Sequence, residues 1–185
     1  MPPTDRMSNL AFRLMQAAFR VQDLLLPYIE RRVSGFGLEQ GMTVVDYGCG
    51  PGRYTRRFAR LVGDAGKVYA VDVQELAVRA ARRLAEDRHL ANVEAVLARG
   101  YDSGLPARTA DRVCAIDMFF GVRDPTAFLT EVSRLLKPDG LLILDDGHQS
   151  RAVTRRKLAA SGLFEIAEEN RDHLTCRKRP HGRRT

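Results

Sequence analysis

The stretch VVDYGCGPGRYT, residues 44–55, places an acid and three alternate glycines directly after two β-branched residues. Val44 and Val45 favour a buried strand, whereas Tyr54 and Thr55 begin a helical pattern, so the glycines occupy a strand-to-helix turn. Glycine adopts backbone conformations that other residues avoid and lets a ligand approach the main chain closely. The turn therefore predicts a ligand site at the end of the first strand.

The acid at Asp46 limits what that ligand can be. The dinucleotide fingerprint G-x-G-x-x-G would need a glycine where Arg53 stands. A carboxylate repels a pyrophosphate, but it attracts a cationic ligand. The pattern of Asp46 followed by Gly48, Gly50 and Gly52 therefore favours a ligand with positive charge over a dinucleotide.

Short apolar runs alternate with helical patterns along the rest of the chain. Strands are predicted at residues 43–47, 68–73, 93–98, 112–118 and 141–145, and helices at 54–62, 75–90, 125–136 and 150–161. Two further strand patterns, 164–168 and 174–179, lie too close together for a crossover helix, so they should pair antiparallel. The predicted fold is α/β, a doubly wound, mostly parallel seven-stranded sheet ending in an antiparallel hairpin, with helices on both faces.

The turn at Lys137-Pro138-Asp139-Gly140 is predicted to end the helix over 125–136 and to precede the fifth strand. Asp124-Pro125 is predicted to begin that helix, with the acid as N-cap. The expected domain organisation is an N-terminal helical cap over 1–40, one ligand-binding domain over 41–180, and a basic tail over 181–185.

Composition favours a cytoplasmic protein. No apolar run approaches the ~20 residues that a membrane span needs, and the N-terminus lacks a secretory pattern. The three cysteines have none of the paired spacings of a metal site, so we expect them to be reduced and expect no metal. The 185 residues carry a net charge of +7, and 26 of the 30 cationic side chains are arginine. The basic end of the chain could meet nucleic acid, but a solvated terminus explains it as well.

The motifs in this order resemble those of the class I S-adenosylmethionine-dependent methyltransferases. Their first motif is an acid at a strand end followed by an alternate-glycine turn, as in residues 46–52, and Asp72 in VDV resembles the acid of the second. LTEVSRLLKPDGLLIL, residues 129–144, resembles the branch that includes ubiquinone and menaquinone methyltransferases. The resemblance implies S-adenosyl-L-methionine as cofactor and methyl transfer to a small-molecule acceptor of unknown identity.

The resemblance also implies which residues bind the cofactor. Asp72 would accept hydrogen bonds from the ribose, although it could instead cap the following helix, and Val73 would pack against adenine. The third motif departs from the family pattern: either Asp102 holds the adenine amino group, which is the interpretation that the sequence favours, or the backbone holds that group and Tyr101 faces the ring. The implied cofactor residues are Asp46, Tyr47, Gly48, Gly50, Gly52, Tyr54, Asp72, Val73, Tyr101, Asp102 and Asp117.

A general base is needed only if the acceptor arrives protonated. The candidates follow the fourth and fifth strands: Asp117, Asp146 and His148. A histidine beside carboxylates can titrate near neutral pH, which favours His148, although it could also be a loop residue that only touches the acceptor.

The N-terminal residues carry an apolar helical stripe that includes Leu10 and Leu14. Phe12, Phe19 and Tyr28 could line an acceptor pocket, but core packing or a homodimer interface explains the stripe equally well. Two alternatives to a small-molecule methyltransferase stay open: a methyltransferase acting on RNA or protein, and a domain that binds the cofactor without catalysis.

Overall fold

The structure is a computed structural model that describes residues 8–14, 17 and 28–180. Phe19, the side chain of Tyr28 and the tail over 181–185 lie outside the described residues, so the predictions for them stay predictions. Residues 9–14 are helical, with Phe12 buried and Leu10 and Leu14 exposed. No helix among the described residues is long and apolar enough to cross a membrane.

The described chain alternates strands and helices as the sequence predicts. The strands are β1 (Thr43–Tyr47), β2 (Lys67–Asp72), β3 (Val93–Leu97), β4 (Ala110–Ala115), β5 (Leu136–Leu144), β6 (Phe164–Glu169) and β7 (Leu174–Lys178). The helices are α1 (Tyr28–Ser34), α2 (Thr55–Val62), α3 (Glu75–Asp87), α4 (Pro125–Leu135) and α5 (Arg151–Ser161). The seven strands form one sheet in the order β3-β2-β1-β4-β5-β7-β6, which confirms the predicted fold class.

The chain divides into two compact units, Met1–Gly104 and Leu105–Thr185. In the first unit β1 pairs with β2 and β2 with β3, all in parallel. Val44 and Val45 of β1 are fully buried, and Phe58 of α2 packs on Phe36 with ring centroids 6.1 Å apart. Burial of these side chains fixes α2 against the strands and so fixes the turn between β1 and α2.

In the second unit β4 and β5 are parallel, and β7 runs antiparallel to both β5 and β6. The predicted hairpin of β6 and β7 is confirmed, with β7 as its inner strand. The helix start at Asp124 is also confirmed, since its carboxylate accepts a hydrogen bond from Ala127 N at 2.9 Å. The side chains of Phe128 and Leu129 on α4 are fully buried.

Three predicted element ends differ from the structure by three residues or more. The fifth strand begins at Leu136 rather than 141, because Leu136 already pairs with Ala110 while Leu141 pairs with Arg112. The residues between are an irregularity inside the strand, where Lys137 binds Asp111 through both carboxylate oxygens at 2.8 Å. The second predicted helix ends at residue 87 rather than 90, and the fourth strand ends at 115 rather than 118.

Candidate functional site

The turn after β1 has the backbone that its glycines allow. Gly48, Gly50 and Gly52 have φ angles of 76°, 52° and 84°, in the left-handed region that favours glycine. The amides of Gly48 and Cys49 both donate to the carbonyl of Val71, at 2.7 and 3.1 Å. The turn is thereby folded back onto the end of β2.

The side chain of Asp72 joins that turn to the start of α3. Its Oδ2 accepts a hydrogen bond from Gly50 N at 2.9 Å, and its Oδ1 accepts one from Gln74 N at 2.8 Å. Burial raises the pKa of Asp72, and the backbone hydrogen bonds oppose that rise. Asp72 therefore caps the start of α3, which was the alternative to a ribose contact in the sequence analysis. A carboxylate has about four lone-pair sites, so it retains acceptor capacity for a ribose hydroxyl.

Asp46 is the second carboxylate of the turn, and it is only 2% exposed. Its Oδ2 accepts a hydrogen bond from Thr55 Oγ1 at 2.5 Å, which fixes the strand end to the first residue of α2. Burial raises the pKa of Asp46 to about 7; the Thr55 hydrogen bond opposes the rise, and the charge of Asp72 adds to it. Within the described part of the chain, no cationic side chain pairs with Asp46 or Asp72.

The three glycines of the turn have different structural roles. A Cβ built on Gly52 would lie 2.6 Å from Leu84 Cδ2 and 3.8 Å from Ala81 Cβ, both on α3. A side chain at position 52 would therefore have to displace the end of Leu84, in addition to the strain that the φ of 84° imposes on any residue other than glycine. The sequence pattern treats the three glycines alike, because the contact with Leu84 depends on a residue far along the chain.

The two tyrosines of the first motif each make a hydrogen bond within the protein. Tyr47 Oη donates to the carbonyl of Tyr101 at 2.7 Å, which ties the turn to the third motif. Tyr54 Oη accepts from Arg32 Nη1 at 2.8 Å, and the guanidinium lies 5.9 Å from the centre of the Tyr54 ring. Arg32 belongs to α1, so Tyr54 holds α1 against the turn, a contact that sequence reasoning missed.

The third motif forms a tight turn of its own. The backbone of Asp102 pairs with that of Arg99 in an isolated bridge, and its Oδ1 accepts a hydrogen bond from Gly104 N at 2.8 Å. The Asp102 side chain is exposed, whereas Tyr101 is half-buried and Ser103 is buried. Contacts of Tyr101, Asp102 or Val73 with adenine stay predictions.

In the second unit, Asp117 and Asp145 lie at the ends of neighbouring strands. Asp117 is exposed and has a φ of 56°, unusual for a residue other than glycine. Its amide donates to Asp145 Oδ1 at 2.9 Å, and Asp145 is 2% exposed. Asp145 was not among the predicted site residues. The two consecutive acids directly after the fifth strand, Asp145 and Asp146, are the sequence feature that could have indicated it.

Asp146 and His148 have different surroundings, although they are two positions apart. Asp146 Oδ2 accepts from Arg151 Nε at 2.7 Å, and Arg151 also binds Glu169 Oε1 at 3.0 Å. His148 is exposed, and its ring meets that of Phe120 edge-on, with centroids 4.8 Å apart and planes at 82°. Asp146 is thus held in an ion pair, whereas His148 is held by an aromatic contact.

The predicted site residues belong to both units. Those from Asp46 to Asp102 lie in the first unit, and Asp117, Asp146 and His148 lie in the second. Among the described residues, no group of three or more His, Cys, Asp or Glu side chains could hold a metal ion.

Residues 38–177 match the family described as a methyltransferase domain. The match covers most of the chain, including β1 to β6 and most of β7. The chain therefore belongs to the methyltransferase domain family.

The sequence is also similar to individual methyltransferases. Over 112 residues the chain is 36% identical to the ubiquinone/menaquinone biosynthesis C-methyltransferase UbiE of Escherichia coli O1:K1, which covers 58% of this chain and 43% of that protein. The chain thus matches less than half the length of the curated relatives.

Solved structures show the same fold. A SAM-dependent methyltransferase from Aquifex aeolicus has a TM-score of 0.76 and 27% identity, over 85% of this chain and 96% of that chain. The [4+2]-cyclase SpnF has a TM-score of 0.64 and 25% identity, over 83% and 59% of the two chains.

Proposed function

We propose that this protein is a methyltransferase that transfers a methyl group from S-adenosyl-L-methionine to a small-molecule acceptor. The observation that carries the proposal is the pair of carboxylates at the glycine turn, the buried Asp46 and the half-buried Asp72, whose pKa values are raised and which have no cationic partner among the described residues. A sulfonium and an ammonium group supply the positive charge that such a pair lacks. The site fits this cofactor better than a pyrophosphate, which would add negative charge.

The first unit supplies the residues that would hold the cofactor. Gly48 presents a main chain without a side chain, and Asp72 has lone pairs available for the ribose hydroxyls. Val73, half-buried at the end of β2, would contact adenine, with Tyr101 or Asp102 on the neighbouring loop. We favour Tyr101 for the ring contact, because its side chain is half-buried while that of Asp102 is exposed and bonded to Gly104.

The bound cofactor supplies an electrophilic methyl group, so the protein chiefly has to position the acceptor. If the acceptor carries a proton that must leave, we propose His148 as the base. Its ring is exposed, whereas Asp146 binds Arg151 through Oδ2. Asp117 is proposed to shape the site through its left-handed backbone, which Asp145 holds in place.

A small-molecule acceptor is supported by the likeness to UbiE of Escherichia coli, a ubiquinone/menaquinone biosynthesis C-methyltransferase. A domain that binds the cofactor without methyl transfer is the second candidate, and the likeness to the cyclase SpnF favours it. A cytoplasmic location, a homodimer and the domain bounds 1–40, 41–180 and 181–185 stay predictions.

The test is a turnover assay that follows S-adenosylhomocysteine release from the purified protein, with a panel of phenols, quinols and amines as acceptors. Release that depends on one acceptor class, and that is lost in Gly48→Val, supports the proposal. Cofactor binding with no turnover on any acceptor would favour the non-catalytic candidate. Turnover on RNA or protein alone would contradict the small-molecule acceptor.

A further inference from the structure

A cleft in the first unit, whose lining does not include the two carboxylates of the glycine turn, carries six arginines among its thirteen lining residues. Its volume is about 730 Å³, and its walls come from the helical residues 12–13, the turn residues 51–53, the start of α2 and one face of α3. The lining cations are Arg13, Arg53, Arg56, Arg79, Arg83 and Arg88, and the lining carboxylate is Asp87.

Three of these cations have no side-chain partner in the part of the chain that the structure describes. Among the described residues, no ion pair or side-chain hydrogen bond engages Arg13, Arg83 or Arg88. Arg79 pairs with Glu75 at 2.7 Å, but both side chains are more than half exposed, so the pair is weak. The charges of Arg13, Arg83 and Arg88 are therefore available to a ligand, although they repel one another when it is absent.

The cleft also has an apolar part. Phe12 is buried, and Leu76, Ala80 and Leu84 follow one face of α3 between the arginines. The spacing places charged and apolar side chains in adjacent rows along the same helix. A ligand that fills the cleft thus meets guanidinium groups and apolar surface together.

We propose that this cleft binds an organic anion in which a phosphate or similar group is attached to an apolar body. Arginine forms two parallel hydrogen bonds to a phosphate, which makes it suited to such a group. The volume of about 730 Å³ lies in the range of small-molecule sites. A nucleic-acid strand would instead need an extended basic groove with exposed aromatic rings, and the aromatic ring here, Phe12, is buried.

The cleft and the glycine turn share residues. Gly52 packs on Leu84, and Pro51, Gly52 and Arg53 line the cleft while Gly48 and Gly50 bind the end of β2 and Asp72. A ligand in the cleft therefore contacts the same turn that carries the carboxylate site, from its α3 side.

The experiment is calorimetric titration of the full chain at low salt with octyl phosphate, inorganic phosphate and 1-octanol. Octyl phosphate should bind at least tenfold more tightly than either of the other two, since it alone satisfies both parts of the cleft. The double variant Arg79→Gln/Arg83→Gln should weaken octyl phosphate binding by on the order of tenfold or more. The matched control is Arg82→Gln, on the same helix and exposed but outside the cleft, and it should bind as the unmodified protein does.

Three results would overturn the proposal: no binding of octyl phosphate, equal loss in Arg82→Gln, or inorganic phosphate binding as tightly as octyl phosphate. Single-stranded RNA and vesicles with anionic lipid are titrated in parallel. Tighter binding of either, lost in the double variant, would make the cleft part of a nucleic-acid or membrane surface instead. Circular dichroism checks folding, and Arg88→Gln provides a second variant if the double variant does not fold.

Discussion

Asp72 and Asp46 are the residues on which the proposed cofactor site depends. The sequence predicted both as site residues, from their positions at strand ends. What the sequence could not show is how each is held. Asp72 bridges Gly50 and Gln74, and Asp46 binds Thr55. These bonds keep both carboxylates in place before any ligand arrives, which lowers the cost of ordering the site on binding.

Replacing Asp72 by alanine should weaken S-adenosylmethionine binding by about 1.5–3 kcal/mol, the scale of hydrogen bonds to a charged group. Calorimetry measures the affinity, and Asp64→Ala, an exposed acid in the same unit, is the control. The variant also loses the bonds to Gly50 and Gln74, so a thermal melt must show that it is folded. An unchanged affinity in a folded variant would contradict the ribose contact.

Asp46 should make the stability of the free protein depend on pH. Burial raises its pKa from 3.8 to about 7, so between these values the folded state holds a proton that the unfolded state releases. The free energy of unfolding should therefore fall as pH rises from about 4 to about 7. Urea unfolding at several pH values should show a shallower fall in Asp46→Asn, in which Asp72 is retained. Identical slopes in the two proteins would disprove this prediction.

Cofactor affinity should show the opposite trend, because a cationic ligand favours the ionised form of Asp46. Binding should tighten as pH rises through about 7, and this increase should be smaller in Asp46→Asn. Calorimetry in two buffers of different ionisation enthalpy should reveal proton release on binding. Proton uptake on binding would contradict the assignment of the charge.

His148 and Asp146 should respond differently to substitution. His148→Gln should lower turnover by about 10²-fold or more with an acceptor that must lose a proton, because general-base catalysis contributes on this scale, and should leave the melting temperature unchanged. Asp146→Asn should lower the melting temperature, since it disrupts the ion pair with Arg151. Full turnover in His148→Gln would exclude it as the base.

At the scale of elements, the strand-turn-helix of residues 43–62 was predicted closely, because its pattern is local. The end of the fourth strand and the start of the fifth were not. Leu136 pairs with Ala110 before the KPDG segment, and such a pairing depends on a strand far away in the sequence. The contact of position 52 with Leu84 was missed for the same reason, because Leu84 lies more than thirty residues further along the chain.

Gly52→Ala should destabilise the protein more than Gly104→Ala. Both glycines have a positive φ, 84° and 70°, so each alanine carries about 1–2 kcal/mol of backbone strain. Only the Cβ at Gly52 also meets another side chain, and forcing the end of Leu84 off its rotamer should add about 0.5–1.5 kcal/mol. Urea unfolding of the two variants gives the difference directly. Equal destabilisation would show that Leu84 on α3 moves aside without a measurable loss of stability.

At the scale of the whole molecule, the alternating pattern and the closing hairpin were enough to predict the seven-stranded sheet. The motifs of residues 46–52, 72 and 129–144 were enough to place the chain near its family. The arginine cleft was not predicted, because Arg13, Arg53 and Arg83 are distant in sequence and converge only in the fold. The basic composition had instead indicated the C-terminal tail as the place where an anionic partner could bind.

The turn of residues 46–52 is proposed to bind a cationic sulfonium amino acid rather than a dinucleotide. The most direct test of this proposal is calorimetric titration of the purified chain with S-adenosylmethionine and with NAD. We expect S-adenosylmethionine to bind at one site per chain, NAD to show no binding at the same concentration, and Gly48→Val to remove the binding while it stays folded. Binding of NAD as tight as that of S-adenosylmethionine, or no binding of S-adenosylmethionine, would contradict this assignment of the ligand.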